Sequence, residues 1–373
     1  MPFNLSEDEQ LIQKTVREFA QGITLEKAAD FDRHDKFPIG VLGDAAGLGL
    51  LSISAPGSPL GATSLALTSD ELAQVCPNSA AALIAHNAAQ AAYLEGETVP
   101  WADGGLAALL IAEEATGSDH SSPGTTATPL SDGTGGFRIT GQKVWGINSA
   151  VAKHFLVLAT VPGKTGGSTL FHIPTDAAGV SLGENEPIMG LRAAGIRTVY
   201  LSAVQVPASA ALGGPGGAAP RLARANAWLQ LGAAAALNGC VAGGLEAAAR
   251  FAETRIQFGQ PIGTYQAVSD GLATIDTQLA ASRALTLQAA AHVGEPDALV
   301  WTARAKAFAT EMAIPMTRQA IRMQGGTGFM REGGTERFAR DARALQFVGQ
   351  TTQMQRDTLK RHVMPNIAFP ATP

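Results

Sequence analysis

Hydrophobic positions change their period twice along this chain. Near the N-terminus Ser6 and Glu9 have capping-box spacing, and Ile12, Val16 and Phe19 follow at i, i+4 and i+7. Gly22 supplies a stop, so the pattern predicts an amphipathic helix. Broken helical patterns continue to about residue 105, interrupted by the turn-rich Ala55-Pro-Gly-Ser-Pro-Leu-Gly61. From Leu106 to about Val206 the pattern becomes short β-branched or apolar runs: Phe137–Thr140, His154–Val161, Ser168–Ile173, Gly179–Leu182 and Arg197–Val206. Asp132-Gly-Thr-Gly-Gly136 and Pro162-Gly-Lys-Thr-Gly-Gly167 separate them as hairpin-type loops. After Gly213-Gly-Pro-Gly-Gly217 the helical period returns, with Val268, Leu272, Ile275 and Leu279 on one face. The expected plan is a helical domain over 1–105, a β-domain over 106–217 and a second helical domain over 218–373.

A length of 373 residues suits two or three such units and large cores. Charge is sparse, with a net value of −5, which argues against nucleic acid because that needs concentrated Lys and Arg. Cys76 and Cys240 are far apart and form no C-x-x-C, so neither a disulfide scaffold nor a metal site is expected. Met-Pro-Phe-Asn-Leu-Ser-Glu-Asp-Glu at the start has no basic stretch followed by an apolar one, so no signal peptide is read. The longest apolar runs, Leu106–Ala112 and Leu229–Leu237, are short for a membrane span, and the expected location is cytoplasmic. The 213–217 glycine cluster lacks the G-K-[ST] ending of a phosphate loop, and no G-x-G-x-x-G or H-E-x-x-H occurs.

Candidate chemistry is concentrated in a few segments. Arg255-Ile-Gln-Phe-Gly-Gln-Pro-Ile-Gly-Thr-Tyr-Gln266 joins two helical stretches and sets a cation, amides and aromatics among turn residues. In Ala112-Glu-Glu-Ala-Thr-Gly-Ser-Asp119, Gly117 lets backbone approach a ligand and the Ser118 hydroxyl can donate to an oxygen. Gly141-Gln-Lys-Val-Trp-Gly-Ile-Asn148 offers Trp145 as a flat partner for a ring system. Met189-Gly-Leu-Arg-Ala193 and Val204-Gln-Val-Pro207 follow, then Gly325-Gly-Thr-Gly-Phe-Met-Arg-Glu332 and Glu336-Arg-Phe-Ala-Arg-Asp-Ala342. In this order, over nearly the whole chain, these segments resemble the flavin-dependent acyl-CoA dehydrogenase family. The family patterns they match are R-x-Q-F-G-x-P-I-x-x-[FY]-Q, T-E-P-x-A-G-S-D, G-x-K-x-W-I-T-N, M-G-x-R-[GA], V-x-V-P, G-G-x-G-[FY]-x-x-E and E-R-x-x-R-D-A.

The resemblance implies an α+β multidomain fold of acyl-CoA dehydrogenase type: an N-terminal α-helical domain, a central β-barrel-like domain and a C-terminal four-helix bundle domain. It implies FAD as cofactor and a role in fatty acid or lipid metabolism. Gly117, Ser118, Trp145 and Ile147 stand where the family meets the flavin, and Thr351 joins the cofactor set. Arg255, Gln257, Phe258 and Gln266 stand where the family reaches the flavin of a neighbouring subunit, the Arg at the pyrophosphate and the Phe and Gln near the adenine. Gly325 and Gly326 would bring backbone close to it, and Arg322, where the family usually has Gln, would add positive charge. Two ring-facing positions depart from the pattern: Ala112 and Ile147 replace threonines.

The larger departure concerns the catalytic base. The family takes a proton from Cα of an acyl thioester with a Glu in Y-E-G-T, just after R-D-A-R. Here Arg340-Asp-Ala-Arg-Ala-Leu-Gln-Phe-Val-Gly-Gln-Thr351 puts Gly349 in that place. No acid lies between Asp341 and Asp357, nor between Glu186 and Glu246, where other family members carry the base. A lost general base costs about 10²–10⁴ in rate. Gly349 keeps its N–H, which in the family helps hold the thioester carbonyl, and a Glu restored there is expected to return some activity.

Three readings follow. One is an FAD-dependent oxidoreductase on an acyl-CoA-like thioester whose base comes from elsewhere, with Glu113, Glu114, Asp119 and His120 nearest. A second is a catalytically impaired subunit of a heteromer that completes a partner's FAD site. The third is a flavin monooxygenase on the same fold. Implied partners are the acyl-CoA-like molecule, a second copy or a second acyl-CoA dehydrogenase-like subunit, and an electron acceptor such as electron-transfer flavoprotein.

Overall fold

The computed structural model describes residues 5–101, 105–163 and 167–369. The start of the N-terminal reading (1–4) and the tip of the Pro162–Gly167 loop (164–166) lie outside the described residues. Helix α1 (Glu7–Gln21) begins as its capping box requires: the Ser6 side chain accepts from the Glu9 N–H, and the Glu9 carboxylate accepts from the Ser6 N–H at 2.8 Å. It ends at Gly22 and buries Val16 and Ala20. Then come α2 (Leu25–Arg33), α3 (Ile39–Gly47), α4 (Ala62–Ala73) and α5 (Pro77–Ala91). Every residue of α5 is buried, because its many alanines let α4 and the later helices close around it.

The β region holds β1 (Ala107–Leu110), β2 (Thr126–Pro129), β3 (Phe137–Gly146), β4 (His154–Thr160), β5 (Ser168–Pro174), β6 (Val180–Asn185) and β7 (Arg197–Val206). They form one curled sheet in the order β1-β4-β2-β3-β7-β6, with β5 on β4. β1 runs parallel to β4, and the β3–β7, β4–β5 and β6–β7 pairs are antiparallel. Along β4, Leu156 and Leu158 join the core shared with the helices, while Phe155, Val157 and Ala159 join a second core enclosed by the sheet. A strand buried on both faces reads as an unbroken apolar run, which is why its sequence does not alternate. β2 is absent from the sequence reading, being short and largely exposed.

Helix α6 (Ala218–Thr254) follows, then a small hairpin of β8 (Ile256–Gln257) and β9 (Gln260–Pro261). The chain finishes with α7 (Gln266–Ala290), α8 (Ala298–Gln324), α9 (Gly326–Phe329), α10 (Thr335–Leu345) and α11 (Thr352–Val363). α6 packs against α4, α5, α7, α8 and α10. Its Gly239 makes this possible, since a Cβ there would stand 2.3 Å from the Asp70 carbonyl. α6 is long and apolar enough to cross a bilayer by length and composition, contrary to the impression its apolar runs give; 78% of that window is buried inside the protein, as befits a core helix. Ile275 and Leu279 of α7 face the bundle as their spacing predicts, and much of the opposite face is exposed.

Candidate functional site

Glu113 builds the turn ahead of Gly117. Its carboxylate accepts from the Gly124 N–H at 2.7 Å, the Thr125 N–H at 3.0 Å and the Lys143 Nζ of β3 at 2.6 Å. Burial pushes this carboxyl up, but the Lys143 ammonium and the Thr125 bonds outweigh it and hold the pKa below the usual value. Lys143 is fully buried, and burial lowers its own pKa against the pull of Glu113. Glu113 is therefore a structural anion with its lone pairs in use, and the expectation that it could serve as a relocated base is corrected. The Glu113 carbonyl accepts from the Gly117 N–H at 2.8 Å, closing the turn, with Gly117 in left-handed backbone at φ 54°. Of the other candidates, Glu114 is exposed and Asp119 accepts from the Ser121 N–H. His120 has a buried Nδ1 with no hydrogen-bond partner among the described residues. Burial, aided by Lys143 and opposed by Asp119, lowers its pKa to about 4, so it is neutral and weakly basic at pH 7.

The end of β3 lies beside this turn, since the Val144 N–H donates to the Ala112 carbonyl. Trp145 follows at φ 57° with half its surface exposed. A bulky residue held in left-handed backbone is strained, and such strain persists where neighbours over-determine it. Here Asn148 is one such neighbour: its side chain donates to the Ala82 and Ala107 carbonyls, and its N–H donates to the Ala194 carbonyl. The Ile147 side chain is buried in the core, leaving only its backbone to face a ligand.

The loop between α10 and α11 meets the same region. Gly349 is buried at φ 70°, and no described residue accepts from its N–H. A Cβ at this position would lie 2.9 Å from the backbone N of Gln230 in α6 and 3.0 Å from its Cα. A side chain here would press on the backbone of α6, which works against the expectation that Gly349→Glu returns some activity. Gln350, also left-handed at φ 75°, donates to the Ser118 carbonyl at 3.3 Å. That bond brings together two motifs 232 residues apart. Thr351 caps α11, its hydroxyl accepting from the Met354 N–H. Lys306 of α8 is buried with no carboxylate partner among the described residues, donates to the Gln346 carbonyl at 3.0 Å, and has its pKa lowered by burial to about 7. Gln230, Lys306 and Gln350 escape the sequence reading because only the fold shows that they converge; Lys143 was visible in its motif, but its pairing with Glu113 was not.

A second group faces outward. The β8–β9 turn puts Phe258 at φ 53° and 93% exposure, edge-on to Tyr265, with Gly259 left-handed beside it. Arg255 and Gln257 are exposed on the same hairpin and Gln266 at the start of α7. The Gln319 side chain of α8 donates to the Gly271 carbonyl of α7, so the end of α8 lies along the first turns of α7. Arg322, Gly325 and Gly326 are exposed there, and a Cβ at either glycine would meet open space. Neither guanidinium group has an ion-pair or hydrogen-bond partner among the described residues. Two unpaired guanidinium groups, open glycine backbone and an exposed aromatic are a donor set that fits a dinucleotide with its pyrophosphate.

Three family models match the chain: acyl-CoA dehydrogenase N-terminal domain at residues 6–97, middle domain at 108–204 and C-terminal domain at 227–364. The chain is 30% identical to a cyclohex-1-ene-1-carbonyl-CoA dehydrogenase of Geobacter metallireducens over 95% of this chain and 97% of that one. It is 29% identical to a probable acyl-CoA dehydrogenase of Bacillus subtilis over 98% of this chain and 100% of that one. Among solved structures, butyryl-CoA dehydrogenase of Megasphaera elsdenii superposes with a TM-score of 0.91 at 25% identity, covering 98% of this chain and 100% of that one.

Proposed function

Because the chain belongs to the acyl-CoA dehydrogenase family, FAD-dependent oxidoreductases acting on CH–CH groups, we propose that it binds FAD and an acyl-CoA-like thioester without a family base of its own. The observation that carries this reading is Gly349: buried, with a backbone N–H that has no acceptor among the described residues, and pressed against α6 where a carboxylate would need room. That N–H is suited to hold the thioester carbonyl and orient the acyl Cα. FAD, when bound, supplies the acceptor for the hydride from Cβ. Gly117, Ser118 and Trp145 would face it from this subunit. Arg255, Gln257, Phe258, Gln266, Arg322, Gly325 and Gly326 would face the FAD of a neighbour. None of the four nearby titratable groups is placed as a strong base: Glu113 is fully bonded, Glu114 is exposed, Asp119 closes a turn and His120 has a pKa of about 4.

The test begins with Arg255→Ala. Losing one charge-assisted phosphate bond should weaken FAD binding about 10- to 100-fold, while the melting temperature of the FAD-free protein stays unchanged because Arg255 is exposed. Unchanged FAD affinity would remove Arg255 from the site.

A second reading is favoured by the contrast between the two groups. The outward set is complete, whereas the chain's own ring-facing side chains are reduced by Ala112 and the buried Ile147. A subunit that completes a partner's FAD site would look like this. Co-expression with a second dehydrogenase-like subunit should then raise FAD content and allow flavin bleaching by acyl-CoA. Rapid bleaching by the chain alone would refute it.

A further inference from the structure

Gln350 occupies a place that sequence and backbone both mark as unusual. The family pattern Y-E-G-T has glycine there, yet this chain reads Gly349-Gln350 and keeps both residues left-handed, at φ 70° and 75°. Left-handed backbone is strained for a residue with a Cβ, and is retained where surrounding bonds over-determine it. Those bonds are present. Gln355, fully buried, donates to the carbonyls of both Gly349 and Gln350 at 3.0 Å. Thr302 donates to the Gln230 carboxamide oxygen at 2.9 Å, and the Gln230 amide in turn points to the Gln350 oxygen at 3.5 Å. The Gln350 amide then donates to the Ser118 carbonyl at 3.3 Å. Among the described residues this is the hydrogen bond that joins the 346–351 loop to the 112–119 turn.

We propose that Gln350 is a positioning residue: it fixes the distance between the Gly349 N–H, which receives the thioester carbonyl, and the Ser118 turn, which faces the flavin. The strain of its backbone is retained because a glycine there would leave the loop untied from the turn. The inference rests on the thioester reading of Gly349 given above.

The test is calorimetric binding of butyryl-, octanoyl- and palmitoyl-CoA to the purified protein, with melting temperatures as the control for folding. Gln350→Gly should fold at least as well, because glycine accepts left-handed backbone freely, yet bind the best of these esters roughly tenfold more weakly. Gln350→Glu keeps length and shape but sets a carboxylate against the Ser118 carbonyl. It should match Gln350→Gly at pH 8 and recover in part at pH 5, because the facing carbonyl raises the carboxyl's pKa and the protonated acid can donate again. A side chain that only fills space would not show that pH profile. Wild-type affinity for Gln350→Glu at pH 8, or for Gln350→Gly at either pH, would overturn the proposal. If the unmodified protein binds none of the three esters, the thioester reading fails and the role of Gln350 fails with it.

Discussion

One methyl group at Gly349 tests the steric wall behind the missing base. Alanine at φ 70° carries the left-handed penalty of a residue with a Cβ, about 1–2 kcal/mol. Its Cβ would also lie 2.9 Å from the Gln230 N, 3.0 Å from its Cα and 3.1 Å from its Cγ. Two of those atoms are helix backbone in the middle of α6 and cannot swing aside. Overpacking of this kind costs about 1–3 kcal/mol. The sum is about 2–5 kcal/mol, a large part of the roughly 5–15 kcal/mol that holds a typical domain. At about 2–4 °C per kcal/mol, Gly349→Ala should melt roughly 5–15 °C below the parent in thermal unfolding followed by circular dichroism. Gly133→Ala separates the two terms, because Gly133 is equally left-handed at φ 78° with nothing near its missing Cβ. It should lose only the conformational part. Gly349→Glu should be at least as destabilised as Gly349→Ala and should leave flavin reduction by octanoyl-CoA as slow as in the parent. If Gly349→Ala melts no lower than Gly133→Ala, or Gly349→Glu bleaches its flavin quickly, the steric argument is wrong and the loss of the base is a matter of one side chain.

Other measurements reach further into the site. Trp145→Ala should lower FAD occupancy and raise the fluorescence of what remains, since a stacked indole quenches; identical occupancy and emission would return Trp145 to a structural role. Glu113→Gln should destabilise by about 3–5 kcal/mol, because it leaves the buried Lys143 ammonium without its counter-charge; a melting temperature within 1 °C of the parent would refute the pairing. Acid should weaken the protein, short of unfolding it, as pH falls from about 6.5 toward 4. Burial lowers the pKa of His86 from 6.5 to about 4, so the stability its neutral form contributes is complete above pH 6.5 and lost as pH falls toward 4, about 3 kcal/mol in all. His86→Asn should reduce the pH dependence of urea midpoints in that window and leave the shares of His120 and His172, whose pKa values burial also lowers to about 4; an unchanged slope would exclude a contribution from His86.

The motif residues were legible because each carries its chemistry in its identity: the Arg255–Gln266 run, Gly117–Ser118 and Trp145 stand out as letters in order. The helical, β and helical grammar was legible too, since a period of 3.6 or of 2 is a local property of which face meets a core. β2 was missed because four largely exposed residues bury too little to leave a pattern. The role of Glu113 was misread for a different reason. A carboxylate beside a glycine turn looks free until Lys143, thirty residues on, is known to sit 2.6 Å away.

Sequence alone determined the helical, β and helical order, the family and the absence of a carboxylate at 349, because these depend on residue identity and short-range spacing. It could not say whether that absence is reversible. That depends on α6, whose backbone at Gln230 would stand 2.9 Å from a Cβ at 349. The grouping of the site residues was decided in the same way. Antiparallel packing of α7 and α8 gathers Arg255, Gln266, Arg322 and Gly325 on an outward face, while the 346–351 loop closes inward on Ser118. Contacts across more than two hundred residues depend on how whole helices and a curled sheet fit together, and a steric wall exists only once two backbones have been brought to contact.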